Sequence, residues 1–281
     1  MRKALIAALF IVVPVAATAA VVGIASARTE ADIAVHAGRI RDIARDAPSP
    51  VPDPASLAAL PAPVRAYVRF AFPQPPRALR SVSLAMEGDF RRPKMESFAP
   101  TTAEQTIAVG TPALLFAATT PVGLGWARAY DAFAESRMEM KAKILSTVTV
   151  MDEHENEALN RMSLRRWLLE SPLYPVALLP GGPVRWEPVD GTRARAIVSA
   201  DGLEASLVAT FRPDGSLERF DAETDGDLET PYHGSGEHVT RTDYRLVDGM
   251  MIPTGFTIAR AAKGALFPFW RGRVTRIEFS S

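Results

Sequence analysis

The residues whose types could do chemistry lie together in one short stretch, HGSGEH, from His233 to His238. Its imidazoles and the Glu237 carboxylate are zinc ligands by type, and Ser235 is a nucleophile by type. However, the two histidines point to opposite faces of an extended segment, and no His-x-x-x-His or His-Glu-x-x-His spacing accompanies them. Gly-Ser-Gly also lacks the G-x-S-x-G frame of a nucleophile elbow. We therefore predict a glycine-rich loop between strands, with no catalytic residue and no metal site; a hydrolase is the least favoured hypothesis.

A second polar stretch, MDEHENE, places several acids around His154 and has the residue types of a cation site. Asp152 and Glu155, however, have the spacing of a capping box, and acids are favoured at a helix N-terminus by its dipole. The stretch therefore predicts the start of a helix rather than a binding site.

Composition limits the classes of function. Lys+Arg and Asp+Glu each number 32, so the formal net charge is zero and no basic surplus predicts a nucleic-acid partner. The chain has no cysteine, which excludes a disulfide framework, a thiolate metal site, an iron–sulfur cluster and a cysteine nucleophile. No motif predicts a cofactor. A hydrophobic content of 47% in 281 residues is ample for a packed core.

The N-terminus carries a long uncharged segment. Arg2 and Lys3 precede Ala4–Ala27, which as a helix would span roughly 36 Å and could cross a bilayer. Residues 1–27 are predicted to be a transmembrane anchor or, because Ala25-Ser26-Ala27 matches an A-x-A cleavage site, a signal peptide. Both alternatives put the remainder outside the cytoplasm: either a single-pass protein of the inner (cytoplasmic) membrane with a periplasmic domain, or a protein secreted to the periplasm.

Two further regions follow. Residues 28–54 are predicted to form a stalk helix, capped by Thr29, and a stiff proline-rich linker, PSPVPDP. Residues 55–281 are predicted to form a single extracytoplasmic domain rich in strands. In RMEMKAKI, for example, Met138, Met140, Ala142 and Ile144 share one face. About ten such short strands joined by tight turns indicate a large, curved antiparallel sheet, in the α+β class but mainly β.

One helical region interrupts the strands, between Asp152 and Gly182. Leu164, Trp167 and Leu168 form an apolar stripe at i, i+3 and i+4, and Arg166 and Glu170 have the i, i+4 spacing of an ion pair. A second, shorter helix is predicted from Pro175 to Leu179. Helices inserted among strands must cover one face of the sheet, so this pair is a candidate lid or plug.

Five blocks in order carry a family resemblance: LPAPVRAYVR, SLRRWLLESPLYPVALLP, VRWEPVD, DGMMIPTGFTIA and FPFWRGRVTRIEF. Together they resemble an uncharacterised bacterial family of unknown function, over roughly Leu60 to Phe279. The block order and the closing hairpin also look like the half-barrel fold of LolA- and LolB-like periplasmic lipoprotein carriers. That resemblance implies an apolar cavity for acyl chains on the concave face of the sheet, with the Trp167 helix across its opening. The chain departs from the family at Pro231–Gly234, where it reads PYHG instead of Pro-Trp-x-Gly.

Aromatic residues supply the candidate ligand-binding positions, although each could equally be an ordinary core residue. The candidates are Trp126, Trp167, Tyr174, Trp186, Phe269, Trp270 and the neighbouring Arg271. We expect an extracytoplasmic, non-enzymatic module that reaches the membrane through its N-terminal segment and binds a lipid or another apolar ligand. The alternative is an interaction or sensory module with a solid core, whose partner is another envelope protein.

Overall fold

The computed structural model describes residues 2–48, 53–92, 95–229 and 237–281, with side chains described from Val13 onward. The helices are α1 Arg2–Asp46, α2 Pro54–Ala59, α3 Ala62–Ala71 and α4 Glu157–Glu170, followed by two 3-10 turns, Ser171–Leu173 and Pro175–Leu178. The first six strands are β1 Ser81–Phe90, β2 Ala99–Ala108, β3 Ala113–Val122, β4 Gly125–Ala134, β5 Arg137–Ile144 and β6 Val148–His154. The remaining strands are β7 Val184–Pro188, β8 Arg193–Ala200, β9 Leu203–Phe211, β10 Leu217–Asp221, β11 His238–Val247, β12 Met250–Ala262 and β13 Ala265–Ser280.

These strands form one large antiparallel sheet, as the sequence predicts, with thirteen strands rather than about ten. The order β6-β5-β4-β3-β2-β1-β13-β12-β11-β10-β9-β8-β7 divides it into two meanders that meet where β1 pairs with β13. Within the described residues the end strands β6 and β7 have no second neighbour, so the sheet is open. The chain passes from one edge of the sheet to the other through α4.

The face of the sheet that packs against α4 is called the inner face, and it holds the main core. The stripe predicted for α4 is correct, because Leu164, Trp167 and Leu168 are all fully buried there. The predicted capping box is wrong. Asp152 lies in β6, and the helix is capped instead by Asn156, whose side chain accepts a hydrogen bond of 3.0 Å from the Leu159 N–H.

The opposite, outer face is covered over β2, β3 and β4 by the second half of α1. Its buried side chains, which recur at helical spacing, are Ile33, Ala37, Ile40 and Ala44. The helix predicted after residue 28 is present as part of α1, but its predicted cap at Thr29 is wrong. Helix α1 continues through this position, and the Thr29 hydroxyl donates to the Ala25 carbonyl at 3.1 Å.

The Arg128 guanidinium of β4 donates two hydrogen bonds, of 2.8 and 2.9 Å, to the Glu30 carboxylate of α1. These bonds help to hold α1 on the outer face.

Nowhere in the described part of the chain is a helix both long enough and apolar enough to cross a membrane. The side chains of the first twelve residues, which include the start of the uncharged segment, lie outside the described residues. So do residues 49–52 of the proline-rich linker.

Candidate cavity on the inner face

A cavity of about 280 Å³ lies on the inner face, beside α4 and over the first meander. Its floor is a row of small side chains that face one another across three strands. Ala118 of β3 pairs with Ala129 of β4, and Ala129 pairs in turn with Ala142 of β5. Because alanine side chains barely rise above the backbone, this row leaves space that larger residues would fill.

Large apolar side chains form the walls. On one side, Phe90 meets Trp270 and Phe269 edge-on, with ring centroids 6.1 and 6.2 Å apart. On the other side, β6 contributes Val150 and Met151. The walls and floor together make a mainly apolar cavity, as is usual for small-molecule binding sites. The volume of the cavity is near the lower end of the roughly 300–1,000 Å³ that is typical of such sites.

A buried ion pair closes the cavity under α4. The Arg166 guanidinium donates to the Asp131 carboxylate of β4, and it lies 4.4 Å from the ring centroid of Phe116. Both charged side chains are buried and both line the cavity. An ion pair at the end of an apolar cavity can orient the polar end of a ligand, and neither charge is left buried without a partner.

The predicted pairing of Arg166 with Glu170 is therefore wrong. Glu170 instead accepts a hydrogen bond of 3.0 Å from Arg241 of β11, and this pair is buried as well. Between the two ion pairs, the Trp167 indole N–H donates to the Ala108 carbonyl of β2 at 2.8 Å. Three side chains on one helix thus fix α4 to strands of both meanders, and they hold it over the cavity.

Five of the aromatic candidates lie on the cavity wall or in the core. Phe269 and Trp270 line the cavity. Trp167 and Tyr174 are fully buried in the core, where their rings pack against each other with centroids 5.4 Å apart. Trp186 packs against Phe211, and its indole N–H donates to the Leu178 carbonyl at 3.0 Å.

The other two candidates lie elsewhere. Trp126 is partly exposed, beside α1 on the outer face. Arg271 is exposed, with its guanidinium 3.4 Å from the Asp89 carboxylate and 4.3 Å from the ring centroid of Phe98. Neither side chain lines the cavity.

The structure describes only the end of the stretch HGSGEH, because residues 230–236 lie outside the described residues. Glu237 is buried and accepts a hydrogen bond of 3.2 Å from the Ala261 N–H. Burial raises the pKa of the Glu237 carboxyl above its ordinary value. His238 begins β11 and bonds through Nδ1 to Asp221. Burial is the largest single influence on Asp221 and acts to raise its pKa, but the hydrogen bonds and positive charges of His238 and Arg219 together outweigh burial and lower the pKa.

Sequence reasoning missed the floor of the cavity and the ion pair at its end. The alanine floor gives no chemical signal, because the methyl side chain of alanine carries no functional group. Asp131 does give one, because it occupies an inward position of β4 in AYDAFA, between Ala129 and Phe133. A charge in the buried register of a strand must find a partner. The alternation alone does not show that the partner is Arg166, 35 residues further along the chain.

Residues 58–279 match the model of a family described as a family of unknown function (DUF6920). No curated protein and no solved structure matches the chain.

Proposed function

The chain belongs to DUF6920, a family of unknown function, and we propose that it binds a small apolar ligand such as an acyl chain in the inner-face cavity. The observation that supports this proposal is the cavity itself: about 280 Å³ beside a well-packed core, with apolar walls and one buried ion pair at its end. An empty space of this kind costs stability, because the atoms that line it lose packing partners. A ligand that fills it restores those contacts.

The chemistry of the lining favours a ligand with an apolar body and at most one small polar end. The walls offer aromatic rings and the Val150 and Met151 side chains, which suit hydrocarbon. Arg166 supplies the polar contact, although Asp131 already neutralises it. This balance favours a binding function over an enzymatic one. It also agrees with the proposal of a half-barrel, carrier-like fold.

The proposed location is outside the cytoplasm. It rests on the sequence, in which Arg2 and Lys3 precede the uncharged segment Ala4–Ala27. Alkaline phosphatase fused after residue 281 is active only outside the cytoplasm, so activity of the fusion is the expected result. An inactive fusion that is nevertheless produced would contradict the location. The intact mass of the purified chain then distinguishes an anchor from a cleaved signal.

The binding proposal is tested by filling the cavity. Native mass spectrometry and solvent extraction of the purified full chain are expected to reveal a bound apolar ligand. Ala129→Phe places a ring on the cavity floor and should abolish the bound mass. Ala58→Phe is the matched control, because it adds the same atoms at an exposed site on α2, and it should retain the ligand.

Two results would overturn the proposal: a parent protein without any bound ligand, or an Ala129→Phe variant that keeps it. Circular dichroism of both variants separates loss of binding from loss of the fold. If only Ala129→Phe is unfolded, the smaller Ala129→Leu fills part of the same space with less strain and provides the same comparison.

A further inference from the structure

Exposed apolar side chains form a rim at one end of the strands of the first meander, around the β3–β4 and β5–β6 turns. We define the rim as Leu124, Trp126, Val148 and Val150. Strand register places them together: Val122 pairs with Gly125 around the β3–β4 turn, and Ile144 pairs with Val148 around the β5–β6 turn. Because Ala127 also pairs with Ile144, the two turns lie side by side at the same end of the strands.

These side chains are unusually exposed for their type. Leu124 is fully exposed at the tip of its turn, and Val148 and Val150 are 58% and 55% exposed. Single exposed apolar residues are ordinary on a soluble surface, whereas neighbouring ones mark a surface that contacts something else. The rim also includes a tryptophan, the residue type most suited to the boundary between water and lipid.

Helix α1 leaves the sheet at this rim. Ser26 and Glu30 lie beside Trp126, and the Lys143 ammonium is 3.5 Å from the Thr29 hydroxyl. From there α1 runs toward the opposite end of the strands, where Ala47 and Pro48, directly after the helix, lie close to Gly110 in the β2–β3 turn. The part of α1 before Ser26 therefore extends past the rim, and it exposes the apolar side chains Val13, Val15, Val21 and Ile24.

The inner-face cavity extends to the same end of the strands. Its lining includes Thr120, Ala127 and Ile144, which lie in the rows of the sheet next to the two turns. Val150 belongs to both the rim and the cavity wall. Arg92, which follows the end of β1, also lines the cavity and supplies a cation near this end of the strands.

We infer that the rim docks on the surface of a lipid bilayer, with the cavity mouth facing the lipid. The uncharged segment of α1 and the rim project in one direction, so a bilayer that receives this segment also covers Leu124 and Val148. This geometry favours a bilayer over a second copy of the chain, because the apolar surface is continuous with α1. Docking of the rim on a bilayer does not require a ligand in the cavity. Entry of the ligand directly from the bilayer rests on the proposed function.

The absence of cysteine makes a site-specific test possible. Leu124→Cys in the full chain is labelled with a fluorophore and reconstituted into phosphatidylcholine and phosphatidylglycerol vesicles that contain brominated phosphatidylcholine. Leu246→Cys is the matched control. It is also a leucine, it is 60% exposed, and it lies at the opposite end of the strands, beside the β11–β12 turn. Val148→Cys provides a second position on the rim.

The expected result is loss of fluorescence to the brominated lipid at positions 124 and 148, with no loss at 246. Equal quenching at all three positions, or none at 124 and 148, would overturn the inference. So would shielding of position 124 in detergent that grows with protein concentration, because that result identifies a second copy as the occupant. Quenching at the rim of the ligand-free Ala129→Phe variant would separate docking from ligand binding: the rim inference would survive even if the binding proposal failed.

Discussion

The buried pair of Arg241 and Glu170 gives the sharpest prediction. Their side chains are only 1% and 4% exposed, and Arg241 also donates to the Leu169 carbonyl at 2.9 Å. Arg241→Met removes the cation and leaves the Glu170 carboxylate buried beside an apolar group. Breaking a buried pair in this way costs about 3–5 kcal/mol in the free energy of unfolding. For a domain of this size, that loss lowers Tm by about 6–20 °C.

The assay is urea unfolding of the full chain, followed by circular dichroism and extrapolated to zero denaturant. Arg161→Met is the matched control, because Arg161 pairs with Glu157 on the exposed side of the same helix at 2.7 Å. An exposed pair contributes less than about 1 kcal/mol. Adding Glu170→Leu to Arg241→Met should recover most of the loss, since no buried charge is then left unpaired. The reasoning is refuted if Arg241→Met costs no more than Arg161→Met, or if the double variant is as unstable as Arg241→Met alone.

Three other predictions concern the fold and its pH dependence. Gly272→Ala places a Cβ 2.2 Å from a backbone oxygen of β1 and should cost about 1–3 kcal/mol, measured by urea unfolding, whereas Gly191→Ala has open space and should be nearly neutral. Trp167→Phe leaves the buried Ala108 carbonyl without its 2.8 Å donor and should cost about 1–3 kcal/mol in the same assay. The raised pKa of Glu237 means that its stabilising effect is complete below pH 4.5 and is lost as pH rises through the raised value, so thermal unfolding across that range should increasingly favour Glu237→Gln over the parent. A difference between these two proteins that stays constant with pH would contradict the assignment.

The alternation of apolar and polar residues identified the strands that have one covered face. It did not identify strands that are covered on both faces. In β5, the face with Met138 and Met140 is distinct from the charged face, so the sequence alone predicts the strand. In β3, ALLFAATTPV, α1 packs on the outer face and the cavity lies on the inner one, so Leu114 and Leu115 are both buried. Such a strand reads as a continuous apolar run, and the count of ten was therefore too low.

Helix boundaries failed where tertiary pairing overrode a local signal. Asp152 has a capping spacing, but it pairs with Lys141 in the β5–β6 ladder, which draws the acidic stretch into a strand. Thr29 has the type of a cap, yet the docking of Ile33 and Ile40 on the sheet favours one continuous helix. Both errors arise because a cap contributes only about 1 kcal/mol, less than the surrounding packing.

The candidate cavity could be predicted only in part. Aromatic type selected Phe269 and Trp270 on the wall, together with Trp167 and Tyr174, which lie in the core. Residue type does not distinguish these two locations. The distinction depends on which strands become neighbours and where small residues align across them, and both are properties of the folded sheet.

The pairing of β1 with β13 has a consequence for how the chain is made. Every other pairing in the sheet joins strands that follow each other in sequence, whereas this one joins Ser81 to Ser280. During synthesis, the first meander ends at His154 with an open edge along β1, and its partner strand does not begin until Ala265, about 110 residues later. An exposed strand edge readily pairs with another chain. The position of the last strand therefore sets how long the β1 edge stays unpaired in the growing chain.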